Sequence, residues 1–408
     1  DATVVNDTLL DFANSTVRGN LAATATTGNI RQSGALTITG TSTLVTSADN
    51  GTIDLKENSI VNAFTGKLLI TTNDSSGTDG DVEIDGGITN LIVGLSTIDG
   101  DLVLLSGGTI TDDGIATLTG TLTATTDAGG SAITLNQLAV TGAFTLAPNG
   151  SGDVTIVNAA GLNLAASTMG GDFSGTATTG DISDSGILAI TGDSTFTAAG
   201  GQSVTLNNTN SFTGTVTFAT PSGNLKNVTV TDTTALDLGT LTLAQVSSAG
   251  GNLTVNTGGA LTDSGALVIP GTTTITATGQ VVDLDHTSNN FATILFGSSS
   301  NAVSSVEVVD TNDIIIGPSK SSGNFSVTAG GDVTDSGAVT VGSNLSVVTS
   351  AGNGLINMGT LEIDGTVVLN TNGNGAATIV NDAEIDFATS SVGGALSATA
   401  TTGKITQS

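Results

Sequence analysis

The 408-residue chain contains no cysteine, no tryptophan and no tyrosine, and it has only 4 prolines. The absence of cysteine excludes a disulfide framework and thiol chemistry. The absence of tryptophan and tyrosine argues against a compact core built around large aromatic rings. The apolar residues, 38% of a chain that also carries 56 glycines, must therefore pack through small and β-branched side chains.

Positive charge is also scarce in this sequence. Seven Lys and Arg residues stand against 36 Asp and Glu residues, which gives a formal net charge of −29 at pH 7. This charge opposes binding to nucleic acid and to anionic membranes, because their phosphates require cationic partners. It favours solubility or the binding of divalent cations. No apolar run of about 18 residues, the length that indicates a transmembrane segment, occurs in the sequence.

What the sequence has in abundance is internal repetition. A short turn phrase recurs along the chain, and its glycines are Gly34, Gly114, Gly186, Gly265 and Gly337. They lie 80, 72, 79 and 72 residues apart. A longer period is superimposed, because residues 2–33 match residues 377–408 at 21 of 32 positions with an offset of 375. The repetition predicts a single continuous repetitive domain over residues 1–408, taken from a longer polypeptide.

Within each unit, apolar residues alternate with Thr, Ser or Asn in short segments that end in Gly, Asn or Asp. In LTITGTSTLVTS, for example, we expect Leu36 and Ile38 to point inward while Thr37 and Thr39 face water. This pattern predicts strands and turns throughout the chain. No stretch shows the 3.6-residue period of an amphipathic helix.

Two all-β architectures accommodate repeats of about 75 residues: a string of small sandwich domains and a continuous solenoid. A sandwich of that length depends on large aromatic core residues, and this chain lacks tryptophan and tyrosine. A parallel β-helix instead stacks similar coils and fills a narrow interior with aliphatic residues, Thr and occasional Phe. We therefore predict an all-β parallel β-helix, or β-solenoid, with about three coils in each repeat of ~75 residues.

The order of short motifs in each unit resembles a known group of proteins. Segments such as GNLTV from Gly251, TDSGALVI from Thr262 and GTTTITA from Gly271 are similar to repeats of filamentous-haemagglutinin-like, two-partner-secretion exoproteins and of giant repetitive bacterial surface proteins. The resemblance implies a right-handed parallel β-helix and export through an outer-membrane partner. It also implies an extracellular or cell-surface location and a role in adhesion, matrix or surface filaments.

The acidic segment GTDGDVEIDGG contains the candidate metal ligands. Asp81, Glu83 and Asp85 alternate with apolar residues, so we expect them to line up on the outer face with Asp79 beside them. Carboxylate oxygens are the ligands that Ca²⁺ prefers. These four residues form the predicted Ca²⁺ site, and the simpler interpretation is a solvated acidic face. No other metal or cofactor is expected.

Two further polar motifs have simpler interpretations. His286, with Asp283 and Asp285, offers too few ligands for zinc, so we interpret this segment as a solvated corner. Thr ladders such as TLTGTLTAT from Thr117 could order water on an ice-binding face. The simpler interpretation is that Thr is an ordinary outward-facing strand residue.

The turn phrase itself is interpreted as a corner of the solenoid. We expect Asp184 to bond to its own backbone, and Gly186 to adopt a positive φ, which glycine tolerates because it has no Cβ. Repeated corners of this kind keep the coils in register. The phrase is therefore interpreted as architectural rather than chemical.

The sequence favours a structural function over an enzymatic one. The basic residues are scattered, and no repeat departs from the others by a cluster of catalytic residue types, as a glycan-processing enzyme would require. We predict a non-enzymatic structural protein of a bacterial cell-surface or extracellular filament, sheath or stalk, with self-association along or between filaments. The alternative is an adhesin or binding module that recognises glycan, ice or a surface through an outer face of the β-helix.

Overall fold

The computed structural model describes residues 1–56, 60–73, 80–246, 249–298 and 300–408. The chain divides into two compact units, unit 1 over Asp1–Ala199 and unit 2 over Gly200–Ser408. The described residues of both units form β-strands and turns without a helix, so no helix among them could cross a membrane. That residues 1–408 form one continuous domain stays a prediction.

The strands are short, and most contain two to five residues. The strands of unit 1 are β1 Ala2–Asn6, β2 Leu10–Phe12, β3 Ser15–Val17, β4 Leu21–Ala25, β5 Ile30–Gln32, β6 Leu36–Ile38, β7 Ser42–Thr46, β8 Ile53–Leu55, β9 Ala63–Phe64, β10 Lys67–Thr71, β11 Val82–Asp85, β12 Leu91–Val93, β13 Ser96–Ile98, β14 Leu102–Ser106, β15 Ile110–Asp112, β16 Ala116–Leu118, β17 Leu122–Thr126, β18 Ile133–Val140, β19 Ala143–Ala147, β20 Val154–Asn158, β21 Leu162–Leu164, β22 Ser167–Met169, β23 Phe173–Ala177, β24 Ile182–Asp184, β25 Leu188–Ile190 and β26 Ser194–Ala198.

Unit 2 continues with the same kind of element. Its strands are β27 Val204–Phe212, β28 Thr215–Ala219, β29 Asn227–Asp232, β30 Leu236–Leu238, β31 Leu241–Thr242, β32 Gln245–Val246, β33 Ala249–Gly250, β34 Asn252–Thr257, β35 Leu261–Asp263, β36 Leu267–Thr276, β37 Val281–Leu284, β38 Asn290–Phe296, β39 Ser305–Asp310, β40 Ile314–Ile316, β41 Ser319–Ser321, β42 Phe325–Ala329, β43 Val333–Asp335, β44 Val339–Val341, β45 Leu345–Thr349, β46 Ile356–Ile363, β47 Thr366–Asn370, β48 Ala377–Asn381, β49 Ile385–Phe387, β50 Leu396–Ala400 and β51 Ile405–Gln407.

Strands of successive coils pair in parallel, one coil above the next. In unit 1, β4 pairs with β7 from Leu21 opposite Ser42 to Ala25 opposite Thr46. In unit 2, β42 pairs with β45 from Phe325 opposite Leu345 onward. Each unit is thus a parallel β-solenoid, and the two units together hold about 19 turns with about three coils per repeat. The predicted all-β parallel β-helix is confirmed.

The core consists of the inward-facing side chains of most strands. In β6, Leu36 and Ile38 are buried and Thr37 between them is exposed, as the alternation predicts. Large rings are few, and some meet between neighbouring coils, as Phe173 does with Phe196 at a tilt of 50° and with ring centroids 5.3 Å apart. Aliphatic side chains fill the rest of the interior, and their burial is the main stabilising contribution.

The turn glycines are required by close packing rather than by a left-handed backbone. None of the five has φ in the left-handed region, so the prediction of a positive φ at Gly186 is wrong. A Cβ at Gly186 would collide with the backbone of Ala166 in the preceding coil, and one at Gly34 would collide with the backbone of Asn14. The corner of one coil therefore lies directly against the corner of the coil before it, where only glycine fits.

Buried side-chain amides join the coils where strands bend. Asn158 is fully buried, and its Oδ1 accepts a hydrogen bond from the Val140 N–H at 2.9 Å. Its Nδ2 donates to the carbonyls of Val140 at 2.9 Å and Gly161 at 2.6 Å. In unit 2, Asn381 bonds in the same way to the N–H and C=O of Ile363. Each amide satisfies backbone groups that the change of strand direction leaves without a ladder partner.

Serine hydroxyls serve other bends in the same way. Each of these hydroxyls accepts a hydrogen bond from a backbone N–H in the preceding coil and donates to a nearby carbonyl. The pairs are Ser96 with Ile70 at 3.1 Å, Ser167 with Leu146 at 3.0 Å, and Ser319 with Phe296 at 3.0 Å.

Replacement by alanine should change the free energy of unfolding in opposite directions at two buried serines of unit 1. Ser42 is 1% exposed, and its Oγ has no hydrogen-bond partner among the described residues. Ser42→Ala removes this unsatisfied hydroxyl and should raise the free energy of unfolding by about 1 kcal/mol. Ser96→Ala should lower it by about 2 kcal/mol, because the buried Ile70 N–H loses its acceptor.

Urea titrations followed by circular dichroism compare the unfolding midpoints of the two variants with that of the unmodified chain. Equal shifts of the two midpoints in the same direction would contradict the stabilising role assigned to the Ser96 hydrogen bond.

Candidate functional site

The predicted Ca²⁺ ligands lie along one strand of unit 1. Glu83 and Asp85 occupy the half-buried outward positions of β11. Asp81 precedes this strand, and its Oδ1 accepts a hydrogen bond from the Asp101 N–H at 2.8 Å. Asp79 lies outside the described residues. The carboxylate of Asp81 thus holds the corner of the next coil.

Glu83 and Asp85 also have partners within the fold. The Glu83 Oε2 lies 3.8 Å from the Lys56 Nζ, and the Asp85 Oδ1 accepts a hydrogen bond from the Gly87 N–H at 2.7 Å. Across the described part of the chain, no three acidic or histidine side chains converge as a metal site would require. Ca²⁺ binding at this strand stays a prediction.

His286 lies in the turn that follows β37 in unit 2. Its backbone N–H donates to Asp263 Oδ1 at 3.4 Å, and its Nδ1 accepts a hydrogen bond from the Ser288 N–H at 3.2 Å. The ring is half-buried, and its contacts are those of a corner residue.

The Thr ladder that begins near Thr117 is short. Thr117 is in register with Thr97 of the preceding coil and with Ala139 of the following one, so the column ends there. A longer column lies in unit 2, where four threonines are paired in register: Thr205, Thr229, Thr254 and Thr274. Ordering of water by these faces stays a prediction.

In two repeats, the residue two places before the turn glycine bonds across coils to a buried asparagine. Asp263 Oδ2 accepts a hydrogen bond from Asn289 Nδ2 at 2.6 Å, and in unit 1 the Oε1 of Gln32 accepts one from Asn62 Nδ2 at 2.9 Å. The partners are 26 and 30 positions apart. The expectation that the turn-phrase side chain bonds to its own backbone is therefore wrong for these copies.

The carboxylate of Asp263 is buried at this junction. The residue is 8% exposed, and desolvation raises the pKa of its side chain to about 6, against the opposing effect of the hydrogen bond from Asn289. Burial also raises the pKa of Asp232 and that of Asp310, which accept backbone hydrogen bonds from Phe212 and Phe291. Unit 2 therefore holds acidic side chains inside its wall at a cost in stability.

In the repeats that contain Gly114 and Gly337, the side chain two places before the turn glycine supports a β-bulge in the next coil. Asp112 Oδ2 accepts a hydrogen bond from the Gln137 N–H at 2.6 Å. Asp335 accepts hydrogen bonds from the N–H groups of Gly359 at 2.9 Å and Thr360 at 2.8 Å. These acceptors lie where the pairing register shifts within β18 and β46. Each bulge leaves two consecutive residues exposed on a strand that otherwise alternates.

A surface groove of ≈ 310 Å³ lies beside each bulge. The two grooves are built from equivalent positions, 223 residues apart in the sequence. The unit 1 groove is lined by Ile115, Asn136, Gln137, Leu138, Val157, Ala159 and Thr178. The unit 2 groove is lined by Ala338, Gly359, Thr360, Leu361, Glu362, Val380, Asp382 and Thr401.

The two grooves have the same leucine and valine at equivalent positions but differ in charge. The unit 2 groove contains Glu362 and Asp382, and unit 1 has Ala139 and Ala159 at these positions. The Oε2 of Glu362 accepts a hydrogen bond from the Thr340 hydroxyl at 2.8 Å. The lining of the unit 1 groove is therefore uncharged, and that of the unit 2 groove contains two carboxylates.

Sequence reasoning missed both grooves. The available signal was a two-residue break in the alternation of ITLNQLAV and INMGTLEI, which occupy equivalent positions in two repeats. Such a break can mark the end of a strand, a loop or a bulge. Only the pairing of β18 and β46 with neighbouring strands shows that it is a bulge with a groove beside it.

The buried Asp263 predicts a pH dependence of stability. Its folded pKa of about 6 exceeds the ordinary value of 3.8, so between these values the folded chain binds more protons than the unfolded chain. The free energy of unfolding should therefore fall as the pH rises through this window, by up to about 3 kcal/mol for this residue. Asp263→Asn should reduce that fall and raise stability at pH 7, since Gln32 shows that an amide fits this position.

Urea midpoints measured from pH 4 to pH 7 test this dependence. The exposed Asp127→Asn is the matched control and should leave the slope unchanged. An Asp263→Asn variant that loses stability with pH as steeply as the unmodified chain would contradict the assignment to Asp263.

Comparison with protein families places the repeats in a group. The family described as Repeats of unknown function (DUF5649) matches residues 1–71, 79–150, 151–219, 225–296, 303–359 and 374–408. Comparisons with curated proteins and with solved structures find no match. The matched segments follow the structural repeat and cover most of the described coils. The chain belongs to this family of repeats of unknown function.

Proposed function

We propose that this chain is a non-enzymatic structural protein of a bacterial cell-surface or extracellular filament, sheath or stalk. The observation that supports this proposal most directly is the bonding between coils. Parallel ladders and buried side chains such as Asn158 and Asn381 join each coil to its neighbours within a unit. A solenoid of this kind gains stability with each added coil, and it resists bending because its contacts are continuous.

The positions of the acidic residues support an architectural role. At one corner of unit 1, Asp153 Oδ1 accepts a hydrogen bond from the Asp172 N–H, and Asp172 Oδ1 accepts one from the Asp193 N–H, both at 2.9 Å. Carboxylates in such a ladder satisfy backbone groups of the next coil while they face solvent. Their charge keeps neighbouring molecules apart unless cations bridge them.

The same contacts support the absence of an enzymatic role. Asp81, Asp112 and Asp335 each accept hydrogen bonds from backbone N–H groups. The single histidine of the chain lies in a corner, and its Nδ1 accepts a hydrogen bond from Ser288. A general acid or base needs a side chain directed at a substrate, and these side chains are directed at their own fold.

A second candidate function is that of an adhesin or binding module. The two grooves beside β18 and β46 favour it, because equivalent cavities recur on the outer surface with different charge. A repetitive surface protein can combine both functions, with the coils as support and the grooves as contact points.

The structural proposal predicts that the repeat is modular. Deletion of residues 114–185 joins Asp113 to Gly186 and restores the turn phrase, so unit 1 should stay folded and lose about 3.4 of the ~19 coils. Electron microscopy should then show unit 1 shortened along its own axis by about 16 Å, at about 4.8 Å for each coil.

Deletion of residues 114–173, which is out of phase with the repeat, is the matched control. It should lose its β-structure by circular dichroism, because a shifted register turns the apolar set outward. Equal loss of structure in both variants would contradict a modular spacer.

The proposed location is tested on cells of the organism that encodes the chain. An antibody raised against residues 1–408 should label intact cells or the filaments released from them. Labelling that requires cell lysis would contradict a surface or extracellular role.

A further inference from the structure

We propose that the unit 2 groove binds a primary alkylammonium group, with the alkyl stem on the apolar floor and the ammonium group between Glu362 and Asp382. This site goes beyond the structural function, since a spacer needs no ligand. The chemical class includes simple alkylamines and the side chain of lysine.

The backbone around the groove is held in place before any ligand arrives. The N-terminal part of β46 pairs with β43, its C-terminal part pairs with β44, and the bulge lies between them. Asp335 accepts hydrogen bonds from both exposed N–H groups of the bulge, and its Oδ2 also accepts one from the Thr360 hydroxyl at 2.8 Å. The bulge is thus fixed by three hydrogen bonds, so binding needs little ordering of the chain.

The two carboxylates lie on adjacent coils. Glu362 follows Leu361 in β46, and its carboxylate bonds to the Thr340 hydroxyl of the preceding coil. Asp382 follows Asn381, where β48 ends, and it lines the same groove from the following coil. A cation in the groove is therefore attracted by two carboxylates. An ammonium group has three N–H donors for the purpose.

The floor of the groove favours an alkylammonium group over a bare metal ion. Val380 is half-buried and Ala338 is exposed, and both line the groove above the buried Leu361. Four methylene groups can pack on such a floor while the charged end remains hydrated, as a lysine side chain does on many protein surfaces. Ca²⁺ instead needs about six to eight oxygen ligands, more than two side-chain carboxylates supply. The net charge of −29 also draws cations toward the surface.

The unit 1 groove is a control within the same molecule. It has the same volume of ≈ 310 Å³ and equivalent apolar residues, Leu138 and Val157, in place of Leu361 and Val380. It has alanine in place of both carboxylates, at Ala139 and Ala159. An alkylammonium ligand that recognises charge should therefore enter one groove and leave the other empty.

The test is a titration of the full chain, carrying ¹³C-labelled Leu and Val methyl groups, with pentylammonium chloride. The methyl signals of Leu361 and Val380 should shift and saturate, and those of Leu138 and Val157 should stay in place. The double variant Glu362→Ala/Asp382→Ala should weaken binding by about tenfold or more. The unchanged signals of Leu138 and Val157 then report that the variant is folded.

The reciprocal variant Ala139→Glu/Ala159→Asp should transfer the response to Leu138 and Val157. A parallel titration with Nα-acetyl-lysine amide separates the two sources of the ligand. Binding of both probes extends the site to lysine side chains of partner proteins, and binding of pentylammonium alone restricts it to free amines. Equal shifts in both grooves, or unchanged binding by the double variant, would overturn the proposal, and so would saturation by Ca²⁺ without a response to either amine.

Discussion

The solenoid is stable only if backbone N–H and C=O groups have hydrogen-bond partners where a coil changes direction. Along the strands, each N–H and C=O bonds to the coil above or below. At the bends this ladder is interrupted inside an apolar wall, where an unpaired N–H or C=O would cost about 1–3 kcal/mol. Side chains from the neighbouring coil meet this need, as Asn158 does for Val140 and Asn381 does for Ile363.

The same requirement explains the turn phrase. Its acidic or amide residue reaches the next coil, where it meets a buried asparagine in one type of repeat and the N–H groups of a bulge in the other. Its glycine lets the preceding corner approach so closely that a Cβ would collide, as at Gly186. The phrase therefore lets successive corners pack at the spacing that the strand ladders set, and it supports the bend before the following strand. Burial raises the pKa of Asp263, so its ionised carboxylate should lower stability at neutral pH.

Architecture and surface features have a common origin in these repeats. The bulges that Asp112 and Asp335 hold in place each have a groove beside them, so this bend of the repeat carries a groove in both units. Exposed positions at a groove differ between the repeats, as Ala159 and Asp382 do at equivalent positions, while the buried leucine is the same in both. A repetitive scaffold can in this way carry similar sites with different chemistry.

The sequence by itself determined the fold class, the inward and outward residues of strands such as β6, and the length of the repeat. These follow from local alternation and from spacing, which a single chain displays directly. Only the tertiary structure decided which side chains cap the bends, why Gly186 is glycine, and that two breaks in alternation are bulges with grooves beside them. The physical reason is distance along the chain, because the partners of Asn158 and Asp263 lie 18 and 26 positions away and meet only when the coils stack in register.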